Sequence, residues 1–282
     1  MNNQETRRPT HPKESNTHEH GLHRLNFSSG ETVTAVSAQT WSGYLSYLKQ
    51  INRRDKLVVS PELMTFTGRP LHEVSKARDE IENRIDEIKK FSIQHPNTTF
   101  LLGTPTFEMT KPRNSILVIK VGEVIGQTHK RSGATAKERD NFDLPVEELP
   151  MIIPGTDIGV LICADLATTS IFLRPGQDQE IFNEALRRSG RESFVGKQPT
   201  FLHPQTKKLI LPSCWGVGGN QQLIKPGDAN NYYKLQLRNL AWSLFENSKL
   251  EEIIIVDRTP IMPPNLQPFT STKPYNGIIQ KR

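Results

Sequence analysis

The chain is 282 residues long and carries 36 Lys and Arg against 30 Asp and Glu, a formal net charge of +6. That length excludes a small stapled scaffold and leaves ample chain for a buried core, while two cysteines, Cys163 and Cys214, make no disulfide framework and point to a reducing cytoplasm. No run approaches the roughly 18 apolar residues of a membrane span, no apolar leader follows Met1, and the cations are interleaved with acids without a nucleic-acid-binding motif, so neither a membrane nor a nucleic acid is the expected partner.

Met1 to Gly30 is polar, lacks a sustained apolar period and is expected to be a disordered tail, leaving 31–282 as one layered domain. Within that tail, His18-Glu19-His20-Gly21-Leu22-His23 has metal-ligand residue types, but nothing around it is evident that would orient the rings, and no metal is expected. Thr32 to Ala38 reads as a strand, Trp41 to Ile51 as a short helix, and Leu57 to Ser60 as a buried strand closed by Pro61 and Glu62. Val74, Ala77, Ile81, Ile85 and Ile88 share one face of a helix over Val74 to Ile93, with a solvated charged face opposite. Thr99 to Gly103 is the next strand, and Ser115 to Lys120 with Glu123 to Gln127 reads as a hairpin around Val121-Gly122.

Ile158 to Ile162 is a buried strand that runs straight into Cys163. Phe182 to Arg188 reads as helix, Ser189 to Gln205 as loop, Leu209 to Leu211 as strand, Tyr232 to Ser248 as helix and Ile253 to Val256 as a last strong strand. Strands alternating with helices predict an α/β layered core.

Glu62, Lys130 and Cys163 each follow an apolar strand or hairpin, where ligand sites of α/β sheets gather. A carboxylate, an ammonium and a thiol suit acyl transfer: the first takes the thiol proton, the thiolate attacks, and the cation holds the developing oxyanion. Taken singly, each has an ordinary reading. Cys163 would be a small packing residue, Lys130 a solvated loop cation beside His129 and Arg131, and Glu62 a turn or capping carboxylate.

Their order and context resemble the nitrilase superfamily, the carbon–nitrogen hydrolases that include aliphatic amidases, carbamoylases and nitrilases. Leu57-Val58-Val59-Ser60-Pro61-Glu62 is similar to the family's segment with the glutamate base. Asn114 to Ile119 followed by Gly122 to Lys130 is similar to the hairpin that delivers its lysine, and Ile158 to Asp165 to the strand and elbow of its nucleophile. Leu209 to Trp215 and Ala241 to Asn247 are further matches, in the family's order. The resemblance implies an αββα sandwich, a Glu62–Lys130–Cys163 triad, no metal or cofactor, and a homo-oligomer, often a dimer. It also implies a second carboxylate after the lysine, best matched by Glu138, whose ordinary reading is a surface charge, and a substrate contact at Trp215.

Departures narrow the reading. Nitrile-cleaving members typically have Trp-Glu after the cysteine, whereas this chain has Ala164-Asp165, which favours a small amide or carbamoyl-type substrate over a nitrile. Phe172 to Lys208 is longer than the family minimum, a lid or partner surface by expectation, and the chain stops soon after Ile279, so the last sandwich strands are expected to be absent or supplied by a partner. The expected activity is hydrolysis of a non-peptide carbon–nitrogen bond through a cysteine thioester, with the thiol made acidic by a helix that starts after it. The altered stretch after Asp165 leaves an alternative, a catalytically degenerate homologue with a binding or regulatory role.

Overall fold

The computed structural model describes residues 13–17, 19–67, 69–173, 176, 178–188, 190–214, 229–258 and 275–281. Side chains alternate across a strand, and that alternation builds the layers here. In β4 (Leu57–Val59), β5 (Thr99–Thr106) and β6 (Arg113–Lys120), the residues Leu57, Val59, Leu101, Ile116 and Val118 point to one face, while Val58, Phe100, Leu102, Leu117 and Ile119 point to the other. The second set packs on Trp41, Tyr44 and Leu48 of α1 (Trp41–Leu48) and Ile88 of α2 (Arg78–Gln94).

The other sheet divides the same way. Val160 of β8 (Ile158–Val160), Ile210 of β9 (Lys208–Ser213) and Ile254 and Val256 of β10 (Glu252–Asp257) meet the first sheet. Leu209, Leu211, Ile253 and Ile255 instead meet Leu237, Ala241 and Leu244 of α6 (Ala229–Asn247), with Leu166 of α4 (Asp165–Phe172) and Leu186 of α5 (Gln179–Arg188) in the same cluster. Helix, sheet, sheet, helix is the resulting order, the αββα sandwich that the resemblance implies. Among the described residues no helix is long and apolar enough to cross a membrane.

With β2 (Gly21–Asn26), β3 (Thr32–Ser37), β7 (Glu123–His129), β1 (Lys13–Thr17) and β11 (Asn276–Gln280), the strand orders are β2-β3-β4-β5-β6-β7 in one sheet and β1-β11-β10-β9-β8 in the other. Strands β3, β4 and β5 run parallel, as do β8, β9 and β10, so the carboxyl ends of each set share an edge.

The expected tail over 1–30 is corrected from Lys13 onward. Gly21–Asn26 pairs antiparallel with β3, and Leu25 and Phe27 are buried between the sheets. Two alternating apolar residues in a polar stretch suffice for an edge strand. Lys13–Thr17 pairs antiparallel with β11, so the strand that covers β11 comes from the segment before β2. The helix expected over Val74 to Ile93 is also split, with a 3₁₀ segment at Leu71–Ala77 leading into α2.

Candidate active site

Glu62 sits in a turn just beyond β4 that β5 holds from below. Ser60 N–H donates to the Leu101 carbonyl at 2.9 Å, and Gly103 N–H donates to Ser60 Oγ at 2.8 Å. A Cβ on Gly103 would lie 2.0 Å from the Pro61 carbonyl oxygen, so only glycine permits this approach. Leu63 then turns the chain with φ of 53°, a left-handed conformation that costs a non-glycine residue about 1–2 kcal/mol.

Lys130 leaves the end of β7. Its N–H donates to the Asn114 carbonyl at 2.7 Å, continuing the β6–β7 pairing. The hairpin thereby sets Asn114 opposite the lysine, and both side chains turn to the same carboxylates. Lys130 Nζ lies 2.6 Å from Glu62 Oε1 and 2.5 Å from Glu138 Oε1. Asn114 Nδ2 donates to the same two oxygens, at 2.6 Å and 3.2 Å. Glu138 belongs to α3 (Ala136–Asn141), capped by Thr135 Oγ1, and its Oε2 accepts the Ala134 N–H at 2.8 Å. The surface-charge reading of Glu138 is therefore corrected: the side chain is buried against the lysine.

Cys163 extends β8, with its N–H donating to the Pro212 carbonyl at 3.0 Å. It has φ of 47°, a left-handed elbow that turns the chain directly into α4. The Cys214 N–H donates to Glu62 Oε2 at 3.1 Å. Both cysteines are free thiols.

Exposures of 2% for Glu62, 1% for Lys130, 4% for Cys163 and 5% for Glu138 mean that these groups act on one another with little solvent screening. Burial and the Glu62 charge push the Cys163 thiol well above its usual range, against the pull of Lys130. The acidic thiol expected from the helix start is thereby corrected: desolvation outweighs the helix end. Burial works against the Lys130 ammonium too, but the charges of Cys163, Glu138 and Glu62 overcome it and hold its pKa well above normal. The resting site is a protonated thiol beside a firmly protonated lysine.

A network just behind the site fixes the loop after Lys130. The Asp165 carboxylate, in the first turn of α4, accepts the N–H groups of Arg131 (3.1 Å) and Ser132 (2.8 Å) and the Ser132 hydroxyl (2.8 Å). The Arg131 guanidinium donates to the carbonyls of Glu148, Thr200 and Phe201 and lies 4.1 Å from the Phe201 ring centroid. The long 172–208 segment is thus tied to the residue next to Lys130. Neither Asn114 nor Arg131 was given a role by the sequence; the register of the predicted hairpin was the signal for Asn114.

Trp215 lies outside the described residues, as does His18. His20 Nδ1 contacts Ser37 Oγ at 3.2 Å and His23 Nε2 contacts the Glu19 carbonyl at 2.9 Å. Among the described residues no group of three or more His, Cys, Asp and Glu is arranged to hold a metal. A cleft of about 570 Å³ lined by Glu108, Arg113, His129 and Glu148 neighbours the hairpin but includes none of Glu62, Lys130, Glu138 and Cys163. The concentration of buried ionisable groups, and not cleft volume, marks the site.

No family model matches the chain, and no match is found among the curated proteins. Solved structures do match. The glutamine-dependent NAD+ synthetase of Acinetobacter baumannii is 17% identical with a TM-score of 0.51, over 80% of this chain and 38% of that one, so this chain spans well under half of the synthetase. A carbon–nitrogen hydrolase from Helicobacter pylori G27 is 15% identical with a TM-score of 0.50, over 91% of this chain and 79% of that one. A mutant amidase from Nesterenkonia sp. AN1, with the acetamide moiety of fluoroacetamide added covalently at its active-site cysteine, is 13% identical with a TM-score of 0.50, over 94% and 91%. At these identities the likeness is one of fold, and the fold of this chain is the αββα sandwich of the carbon–nitrogen hydrolases.

Proposed function

We propose that the protein is a nitrilase-superfamily hydrolase that cleaves a small non-peptide amide or carbamoyl-type carbon–nitrogen bond through a thioester on Cys163. The observation that carries this reading is the convergence of Glu62, Lys130 and Glu138 beside a buried thiol held at a left-handed elbow. An intact arrangement of this kind supports an enzyme over a degenerate binding homologue. Burial of every charged group favours a small substrate, and Ala164-Asp165 after the nucleophile disfavours a nitrile.

Because the thiol rests protonated, attack and proton transfer go together. Glu62 takes the Cys163 proton as sulfur bonds to the carbonyl carbon. Lys130 Nζ and the N–H of Ala164 receive the tetrahedral oxyanion, a contribution of about 10²–10³ in rate for one such donor. The amine leaves with the proton from Glu62. Water, deprotonated by the same carboxylate, then attacks the thioester, releases the acid and returns the proton to the thiol. Glu138 and Asn114 keep the lysine and the base in register. The setting proposed with this activity is a cytoplasmic homo-oligomer acting on a small molecule.

Ammonia or amine release across short aliphatic amides and carbamoyl compounds tests the reading. Turnover that disappears in Cys163→Ala is the expected result; turnover unchanged in that variant would sink it.

A further inference from the structure

We propose that Arg258 is a positioning residue for Glu62, acting from the opposite sheet. Arg258 follows β10, where its N–H donates to the Ser213 carbonyl at 3.3 Å and prolongs the β9–β10 pairing. Its guanidinium crosses the sandwich to the turn beyond β4. Nε donates to the Glu62 carbonyl at 3.0 Å and Nη2 to the Leu63 carbonyl at 3.4 Å. The residue is 5% exposed, a deep position for an obligate cation.

The two carbonyls flank the bond on which the turn depends, since Leu63 adopts the left-handed conformation. The Glu62 side chain is fixed by Asn114, Lys130 and the Cys214 N–H. Its backbone is fixed by Arg258. A general base that serves thiol, leaving amine and water in turn must stay placed through all three transfers, and misplacement of about 1 Å can cost about 10²-fold in rate. A planar fork suits two successive carbonyls; a lysine ammonium would reach one. Burial raises the Cys214 thiol against the Arg258 charge, and burial and then the same charge lower the His20 pKa, so the cation is felt around the base.

This inference rests on the proposed hydrolase reading, and the test separates the two. Arg258→Ala and Arg258→Lys are compared with wild type for kcat and KM on the best small amide, and for the rate of Cys163 alkylation by iodoacetamide read by mass spectrometry. Glu62→Gln calibrates how far alkylation depends on the base. The alanine variant is expected to lose about 10- to 100-fold in kcat with KM little changed, to lose alkylation rate in parallel, and to regain both when guanidinium is added at levels that leave wild type unaffected. The lysine variant is expected to stay folded yet remain slow. Unchanged kcat and alkylation in the alanine variant, or full recovery of both in the lysine variant, overturns the role and leaves a buried staple. If wild type turns over no amide, the hydrolase reading fails while alkylation still decides for or against Arg258. Should the alanine variant fail to fold, alkylation in the lysine variant at the wild-type rate is the overturning result.

Discussion

The Cys214 N–H and the Glu62 carboxylate, 3.1 Å apart, join the two sheets at the centre of the site. β4 brings the carboxylate and β9 brings the N–H, so the geometry of base and nucleophile depends on how one sheet sits on the other. The donor is backbone, which makes the Cys214 side chain dispensable to this bond. Cys214→Ala is expected to retain activity near wild type in steady-state assays. Glu62→Gln keeps the shape but not the base, and is expected to cost about 10²–10⁴ in kcat.

A thiol held above its ordinary pKa is alkylated through a small thiolate fraction. Iodoacetamide modification of Cys163 in the free protein is therefore expected to climb steadily from pH 7 to pH 9, with no plateau near neutrality. Cys214, pushed up to about 12 by burial, is expected to show the same climb with pH and no plateau near neutrality. Peptide mapping against time at each pH reads both rates, and a plateau for Cys163 below pH 7 would show an acidic thiolate and contradict the electrostatics described here.

Gly103 offers a sharp steric test. A methyl group there meets the Pro61 carbonyl at 2.0 Å, a backbone atom that cannot swing aside. Gly103→Ala is expected to destabilise the fold by about 1–3 kcal/mol or more and to lower kcat by shifting the turn that carries Glu62. Urea unfolding and steady-state kinetics on the same preparation check the two effects together.

Asp165 gives a pH signature. Burial raises its carboxyl to about 6, above the ordinary value of 3.8, despite Arg131 and the Ser132 hydrogen bonds. The folded protein thus binds this proton more tightly than the unfolded chain, and the gap of about two pH units corresponds to up to about 3 kcal/mol. That stabilisation is fully present below the unfolded value and is lost as pH rises through 6. Compared with Asp165→Asn, wild type is expected to gain stability as pH falls from 7 to 4, the difference being read from urea midpoints. A constant difference across that range would mean that Asp165 titrates normally. Protonation also weakens Asp165 as an acceptor for the Arg131 and Ser132 N–H groups, so activity is expected to fall over the same range as stability gains.

The strongly apolar parts of the fold were open to reading from sequence. β4, β6, β8 and β10 bury both faces, and continuous Val, Ile and Leu runs mark such strands. β2 escaped because Leu25 is its one buried large apolar side chain in a polar stretch, and β1 because its pairing partner lies at residues 276–280. α3 is short and charged, and its Thr135 cap and the buried Glu138 become meaningful only when Lys130 arrives from another element. The spacing of Glu62, Lys130 and Cys163 showed residue types and order. It held no information on the Asn114 amide or the Arg258 fork, because those contacts span segments distant in sequence.

The pairing of β1 with β11 bears on how the molecule is made. Lys13 pairs with Gln280 and Thr17 with Asn276, so this edge joins segments that lie far apart in sequence. On the ribosome, residues 13–17 would emerge well before residues 276–280 and wait for them unpaired, while β10 had no β11 to cover it. Closure of so long a loop is slow to be rewarded, and an unpaired strand edge invites association with other chains. Assembly of this sheet edge thus cannot precede synthesis of residues 276–280, and until then the edge of β10 that β11 will cover stays open to other chains.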